Sequence, residues 1–340
     1  MSKKLVTAAM VTVTALVATA CGGGGSDASE SGKVTVALPF ASCLSWYPLY
    51  VAKDKGYFDD EGIDATFEAT DGSGGAVQAT LSGKADLALA APNAYLSATG
   101  TGADLEAYYG FYQASTFSLV TPSDSGINDL SDLEGSTIGI STPGGGDVIY
   151  MEWLMAQAGL HKDEDFSELA VGDGSSAATA LSKGSVDAYS ASFFDEEVIK
   201  AGGIDLTVLH GEDEPQVVDN FLVATQEWTS ANSDTVDGLG RAIARGTAWG
   251  LDNPDGVIDL CGTYAPEETE DPDFAKVVYD RVSDLLTLPA SANGQYGAID
   301  LDTFGTVAGQ LADLGLVDSA DGAADVNNDH VEAWNSDPAS

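Results

Sequence analysis

Two stretches of the chain echo one another. The first, from Asp71, reads DGSGGAVQATLSGKADLALA, and the second, from Asp173, reads DGSSAATALSKGSVDAYSA. Each runs from an apolar strand through Asp-Gly-Ser, a helix of small residues, Leu-Ser, Gly and Asp into another short strand. The offset is 102 residues at Asp71/Asp173 and 101 at Asp86/Asp187. A Gly/Ser turn of this kind sits at a helix N-terminus, where the first backbone N–H groups lack intrahelical partners. Two such units predict two similar α/β lobes, each with loops at the carboxyl ends of its strands, where open α/β sheets bind ligands. The alternative is two unrelated βα units that share general punctuation.

The lobes can be bounded. Residues 33–117 are expected to form the first part of lobe one, 118–222 lobe two, and 223–340 the return to lobe one with C-terminal helices. Thr116 to Val120 reads as the first crossing, Thr137 to Ile140 as the opening of lobe two, and Phe221 to Thr225 as the return crossing. From Ser230 the period becomes helical. Val236, Leu239, Ile243, Ala244 and Ala248 recur at helical spacing, as do Ala275, Val278, Val282 and Leu285.

Lys3 and Lys4 precede an apolar run from Leu5 to Ala20, which ends at Cys21 and Gly22 to Gly25. A basic start, a short apolar run and a small-residue cleavage site make 1–20 a secretory signal rather than a membrane span. The Cys that follows resembles the lipobox of bacterial lipoproteins. That resemblance implies diacylation of Cys21 and anchoring at the outer face of the cell membrane, with 21–32 as lipidated Cys and flexible tether. An ordinary signal with a chance Cys is the alternative. In an oxidising compartment Cys43 and Cys261 are an even pair, either bonded or left as two buried thiols. The 54 Asp and Glu against 13 Lys and Arg give a net charge of −41. Such a surface repels nucleic acid and is expected to keep the protein monomeric.

The opening of the chain is its most specific segment. Val34 to Phe40 reads as a buried strand, and Trp46 to Asp64 reads WYPLYVAKDKGYFDDEGID. Leu49, Tyr50, Ala52 and Phe58 can line one helical face while Lys53, Asp54, Lys55 and Asp59 stay wet. This strand–loop–helix–strand unit resembles the opening of the substrate-binding proteins of ABC importers, in the nitrate, sulfonate, taurine and thiamine-pyrimidine group. Leu181 to Ala188 and Asp124 to Gly139 extend the resemblance. It implies a type II periplasmic-binding-protein fold, a small-molecule ligand between the lobes, a membrane permease as partner and no cofactor.

The resemblance also places the ligand loops. They carry Ser42, Trp46 and Tyr47; Gly72, Ser73 and Gly74; Pro92, Asn93 and Ala94; Thr142, Gly144, Gly145 and Asp147; and Phe193, Phe194 and Asp195. Ser175, Ser176, Tyr112 and Gln113 are further candidates. Glycines admit close backbone approach, and helix N-termini offer N–H donors. Trp46, Tyr47, Phe193 and Phe194 can wall a flat ligand. Taken singly, each aromatic is at home in a core; as a set, at least two are expected to touch ligand. Replacing Trp46 with Ala is therefore expected to weaken binding and leave the ligand-free melting temperature nearly unchanged.

The chain has no Arg before Arg241, so the matched loops hold no bidentate clamp for an anion. Asp71, Asp147, Asp173 and Asp195 lie in or beside them. A neutral or weakly cationic, planar, heterocyclic ligand is expected. The alternatives are an aliphatic sulfonate, taurine or nitrate, or a ligand-sensing lipoprotein without a transporter. Catalysis is not expected: His161, His210 and His330 flank no nucleophile, and Gly144 to Gly146 lack the Lys-Ser/Thr of a phosphate loop. Asp325 to Asp329 alternates oxygen ligands but lacks the Gly and distal Glu of a calcium loop, so no metal is expected.

Overall fold

The computed structural model describes residues 32–143, 145–211, 218–288 and 294–336. The signal at 1–20, Cys21 and nearly all of the tether lie outside the described residues, as does Gly144. In chain order the structure begins β1 (Lys33–Leu38), α1 (Tyr47–Asp54), α2 (Tyr57–Asp60), β2 (Asp64–Ala69), α3 (Gly72–Leu81), β3 (Leu87–Ala90), α4 (Pro92–Gly100) and β4 (Leu105–Tyr112). It continues with β5 (Phe117–Pro122), β6 (Thr137–Ile140), α5 (Gly146–Gln157), β7 (Ser167–Ala170), α6 (Gly174–Ser182), β8 (Ala188–Ser192), α7 (Phe193–Ala201) and β9 (Leu206–Leu209). Strand β10 (Asp219–Thr225) is followed by α8 (Gln226–Ala231), α9 (Ser233–Asp252), α10 (Pro254–Tyr264), α11 (Pro272–Leu286), α12 (Leu301–Asp313) and α13 (Val331–Trp334).

The strands form two five-stranded sheets with matching orders, β2-β1-β3-β10-β4 and β7-β6-β8-β5-β9. In each, the first three strands are parallel and the fourth is antiparallel to its neighbours. The sequence echo has a structural counterpart at its Asp. Asp86 accepts a hydrogen bond from the Thr35 amide at 2.8 Å, and Asp187 accepts one from the Thr137 amide at 2.8 Å. Each carboxylate thereby fixes the start of the central parallel strand of its own sheet.

Both expected crossings are displaced. Phe117 to Val120 is no linker but β5, an inner strand of the second sheet, so the connection is residues 113–116. Phe221 to Thr225 lies within β10, between β3 and β4, so the return falls before Asp219 rather than at 222. The reason is burial. Leu119, Val120 and Phe221 to Ala224 are almost fully shielded, and a run buried on both faces belongs inside a sheet.

The C-terminal helices cover the first sheet. Val236, Leu239 and Ile243 of α9 and Val278, Val282 and Leu285 of α11 share one core with Val36, Trp46 and Tyr47. Helix α9 can approach α1 closely because Gly246 and Gly250 face it. A Cβ on Gly246 would lie 2.2 Å from the Pro48 carbonyl oxygen, and one on Gly250 would lie 2.3 Å from the Tyr47 ring. Among the described residues no helix is long and apolar enough to cross a membrane.

Candidate ligand-binding cleft

The loops at the carboxyl ends of the parallel strands converge on a cleft of about 1080 Å³. The loop after β1 contributes Phe40 and Trp46, the one after β2 Asp71 to Gly74, and the one after β3 Ala91, Asn93 and Ala94. From the second sheet come Ser141 to Pro143, Gly145 to Asp147, Asp173, and Ser192 to Phe194. Tyr112, Thr116, Phe117 and Asn220 line it beside the crossings.

The loop after β1 is held from several sides. Cys43 is bonded to Cys261 of α10, which joins this loop to the helical layer. The Glu268 carboxylate accepts from the Cys43 and Leu44 amides at 3.0 and 2.9 Å. The Ser42 hydroxyl accepts from the Ser45 amide, and Tyr112 donates to the Ser45 carbonyl at 2.5 Å. Burial pushes the Tyr112 phenol well above its ordinary pKa, so it remains a donor. Trp46 is only 1% exposed, stacks on Tyr112 and donates its indole N–H to the Phe40 carbonyl at 3.1 Å. Phe40, in contrast, is 45% exposed. The anchored loop thus sinks Trp46 as a floor and leaves the Phe40 ring available.

On the facing lobe, Phe194 is 46% exposed at the start of α7 and meets Phe274 of α11 edge-on at 5.7 Å. Asp71 and Asp173 occupy equivalent positions before α3 and α6, both exposed, and neither side chain caps its helix. Asp147 is buried, and its carboxylate accepts from the Ser141 amide at 3.0 Å and the Ser141 hydroxyl at 2.9 Å. Burial raises its carboxyl above the usual range, against those hydrogen bonds. Between the lobes, the buried Asp219 carboxylate accepts from the Thr116 amide at 3.0 Å and the Thr116 hydroxyl at 2.5 Å, tying the two crossings together. Its carboxyl, too, is raised by burial.

Several expected ligand residues lie elsewhere. Tyr47 is fully buried against Gly250 and Tyr279 and hydrogen-bonded to Ser283, so it is core. Ser42 holds the turn instead of lining the cleft. Gln113 is buried and donates to the Gly110 carbonyl. Asp195 accepts from the Gly174 and Ser192 amides at 2.7 and 3.0 Å, binding the starts of α6 and α7 together. Ser175 and Ser176 are exposed on α6 outside the cleft lining, and Pro92 faces a smaller apolar cavity of about 80 Å³ beside it. Trp46, Gly72, Ser73, Gly74, Asn93, Ala94, Tyr112, Thr142, Gly145, Asp147, Phe193 and Phe194 do line the cleft. The expectation that Trp46 is dispensable to the ligand-free fold is overturned by its burial. Phe40 and Asn220 were missed; Phe40 reads in sequence as the end of an apolar strand, and Asn220 carries no sequence signal of its own.

The pattern of the NMT1/THI5 like family matches residues 45–257, most of the two-sheet framework. The chain belongs to the NMT1/THI5 like family. It is 27% identical over 247 residues to the riboflavin-binding protein RibY of Chloroflexus aurantiacus, covering 69% of this chain and 67% of that one. It is 23% identical over 278 residues to the formylaminopyrimidine-binding protein of Halalkalibacterium halodurans, covering 79% and 83%. Among solved structures, the alkanesulfonate-binding protein SsuA of Xanthomonas axonopodis pv. citri superposes with a TM-score of 0.66 at 18% identity, over 88% of this chain and all of that one. The resemblance to substrate-binding proteins therefore holds in sequence, and the two-lobed periplasmic-binding-protein fold holds in structure.

Proposed function

We propose that this protein is a lipid-anchored extracytoplasmic binding protein that captures a neutral or weakly cationic planar heterocycle and delivers it to an ABC import permease. The observation that carries this reading is the chemistry of the cleft. Asp71, Asp147 and Asp173 line it, and among the described residues no Lys, Arg or His does. A cleft rich in acceptors and free of side-chain cations favours a ligand that brings N–H donors. The half-exposed Phe40 and Phe194, one from each lobe, supply flat surfaces for a ring. The relatives named for riboflavin and formylaminopyrimidine, both planar nitrogen-containing molecules, support the same class. Binding stabilises the closed form because the ligand makes its fullest contacts there, and the closed pair of lobes is what a permease would receive.

A second reading has its own support. Helices α3, α4, α5 and α7 begin at the cleft, and the positive end of a helix dipole suits a sulfonate or nitrate, although in α7 the Phe193 and Asp195 N–H groups already donate to the Thr116 carbonyl and the Ser192 hydroxyl. A thermal-shift screen of the chain beginning at Gly32 decides between them, since a ligand of the folded state raises the melting temperature by mass action. The panel is riboflavin, aminopyrimidines, purines, taurine, alkanesulfonates and nitrate. Shifts with heterocycles alone support the proposal, and shifts with sulfonates or nitrate alone reject it.

A further inference from the structure

Beside the cleft, side chains of both lobes leave an apolar cavity of about 80 Å³. Pro92 of α4 and Val307 and Leu311 of α12 line it from lobe one, and Ile149, Tyr150 and Trp153 of α5 line it from lobe two. Protein interiors pack so closely that voids larger than a water molecule are few, and each forfeits contact energy. This one is not sealed. Ala91, Asn93, Phe117, Gly146 and Ile149 line both the cavity and the cleft, so the two spaces adjoin. At the junction stands Gly146, where a Cβ would lie 3.0 Å from the Phe117 ring and 3.5 Å from Asn93 Oδ1. A residue without a side chain thus leaves room where the two spaces meet. From there an aromatic wall leads inwards. Phe117 meets Tyr150 at 6.4 Å between ring centroids, and Tyr150 meets Trp153 at 6.1 Å.

The Ser115 hydroxyl, the Trp153 indole and the Asp219 carboxylate border the cavity, and each is engaged by protein. Ser115 accepts from the Phe117 amide at 3.1 Å, Trp153 donates to Gln310 at 2.9 Å, and Asp219 accepts from the Thr116 and Asn220 amides. A buried water needs several polar partners of its own, and an apolar space short of them takes an apolar guest. We propose that the cavity is a subsite for a short unbranched alkyl arm of the ligand, whose polar head remains in the cleft. Its volume sets the length of the arm. A cavity of roughly 150 Å³ accepts benzene, so one of about 80 Å³ takes about three carbons. This rests on the reading that the cleft binds a small molecule, and it adds a selectivity for that molecule's substituent. Because the walls come from both lobes, an arm in place touches both and favours the closed form.

The test is a pair of chain-length ladders read by calorimetric titration. One is 4-aminopyrimidine, bare or with methyl to n-hexyl at each free ring carbon in turn. The other is methanesulfonate to hexanesulfonate. In wild type, affinity should rise about fourfold per methylene until about three carbons and then level off. Leu311→Ala deepens the cavity and should carry the rise to longer chains, whereas Val307→Ile fills it and should end the rise earlier. A general loss of stability would not shift the preferred length in opposite directions. A rise on the pyrimidines supports the subsite and the heterocycle reading together. A rise on the sulfonates alone keeps the subsite and rejects the heterocycle. Binding without a rise, or a rise whose end neither variant moves, overturns the subsite and leaves the reading of the polar head standing. If no member of either ladder binds, both fall.

Discussion

Trp46 and Phe194 both line the cleft, and the structure assigns them opposite jobs. Trp46 is 1% exposed and packs against Phe40, Phe111 and Tyr112 at centroid distances of 5.1, 5.5 and 5.6 Å. Truncating a buried Trp to Ala costs about 3–5 kcal/mol through lost transfer energy and the cavity left behind. At about 2–4 °C per kcal/mol for a protein somewhat smaller than this one, Trp46→Ala should lower the ligand-free melting temperature by up to roughly 6–20 °C. Phe194 is 46% exposed and touches chiefly Phe274. Phe194→Ala should cost under about 1 kcal/mol and shift melting by no more than about 3 °C. Its effect should appear in binding, where losing a ring from a stacked wall weakens affinity by roughly tenfold. Scanning fluorimetry without ligand and calorimetry with ligand read the two effects separately. A Trp46→Ala protein that melts within 2 °C of wild type, or a Phe194→Ala protein that loses stability without losing affinity, would refute the division into floor and wall.

Three further outcomes follow from the same geometry. The Cys43–Cys261 bond closes a loop spanning 218 residues, so the Cys43→Ser/Cys261→Ser protein should lose about 2–5 kcal/mol; an unchanged denaturation midpoint on full reduction would contradict it. Arg281 of α11 reaches the buried Glu196 of α7 at 3.6 Å, joining elements that cover different sheets, so Arg281→Ala should speed ligand dissociation several-fold while leaving association alone in stopped-flow traces. Asp219 has a raised carboxyl pKa in the fold, so the folded state holds its proton to higher pH than the unfolded chain, and the stability it contributes is present below about pH 4 and lost as pH rises through the folded value. The stability of wild type relative to Asp219→Asn should therefore fall as pH rises above about 4, and a relative stability that rises with pH counts against the burial argument.

The sequence carried the architecture because its signals were local and paired. The echo placed Asp86 and Asp187 in equivalent roles, and strand periodicity placed most elements. What misled was context. Phe117 to Val120 and Phe221 to Thr225 are apolar runs near the predicted lobe boundaries, and only sheet pairing shows them to be inner strands. Tyr47 and Trp46 are adjacent aromatics that sequence treats alike. Tyr47 is core because Gly250, some two hundred residues later, leaves room for its ring. Phe40 reaches the cleft because a disulfide and Glu268 turn its loop, and both partners are distant in sequence. Asn220 was invisible because its place at the cleft depends on a left-handed backbone angle that only the fold reveals.

The anion reading can be weighed with magnitudes. Most of the net charge of −41 lies on the surface, where salt screens it beyond about 8 Å, so a ligand in the cleft responds chiefly to what lines it. A helix N-terminus contributes about 0.3–1 kcal/mol toward an anion. A carboxylate about 4 Å from an anion opposes it by about 4 kcal/mol at an effective dielectric constant of 20. A few helix termini therefore offset roughly one carboxylate, and among the described residues three line the cleft. An anion would be opposed less if one of them were neutral. Asp147 is the candidate, because burial already holds its carboxyl above the usual range. Any sulfonate binding should then strengthen as pH is lowered and Asp147 takes up its proton, while binding of a cationic heterocycle should weaken. Sulfonate binding that stays constant as pH is lowered until the fold begins to melt would mean that the helix termini, and not the carboxylates, set the field in the cleft.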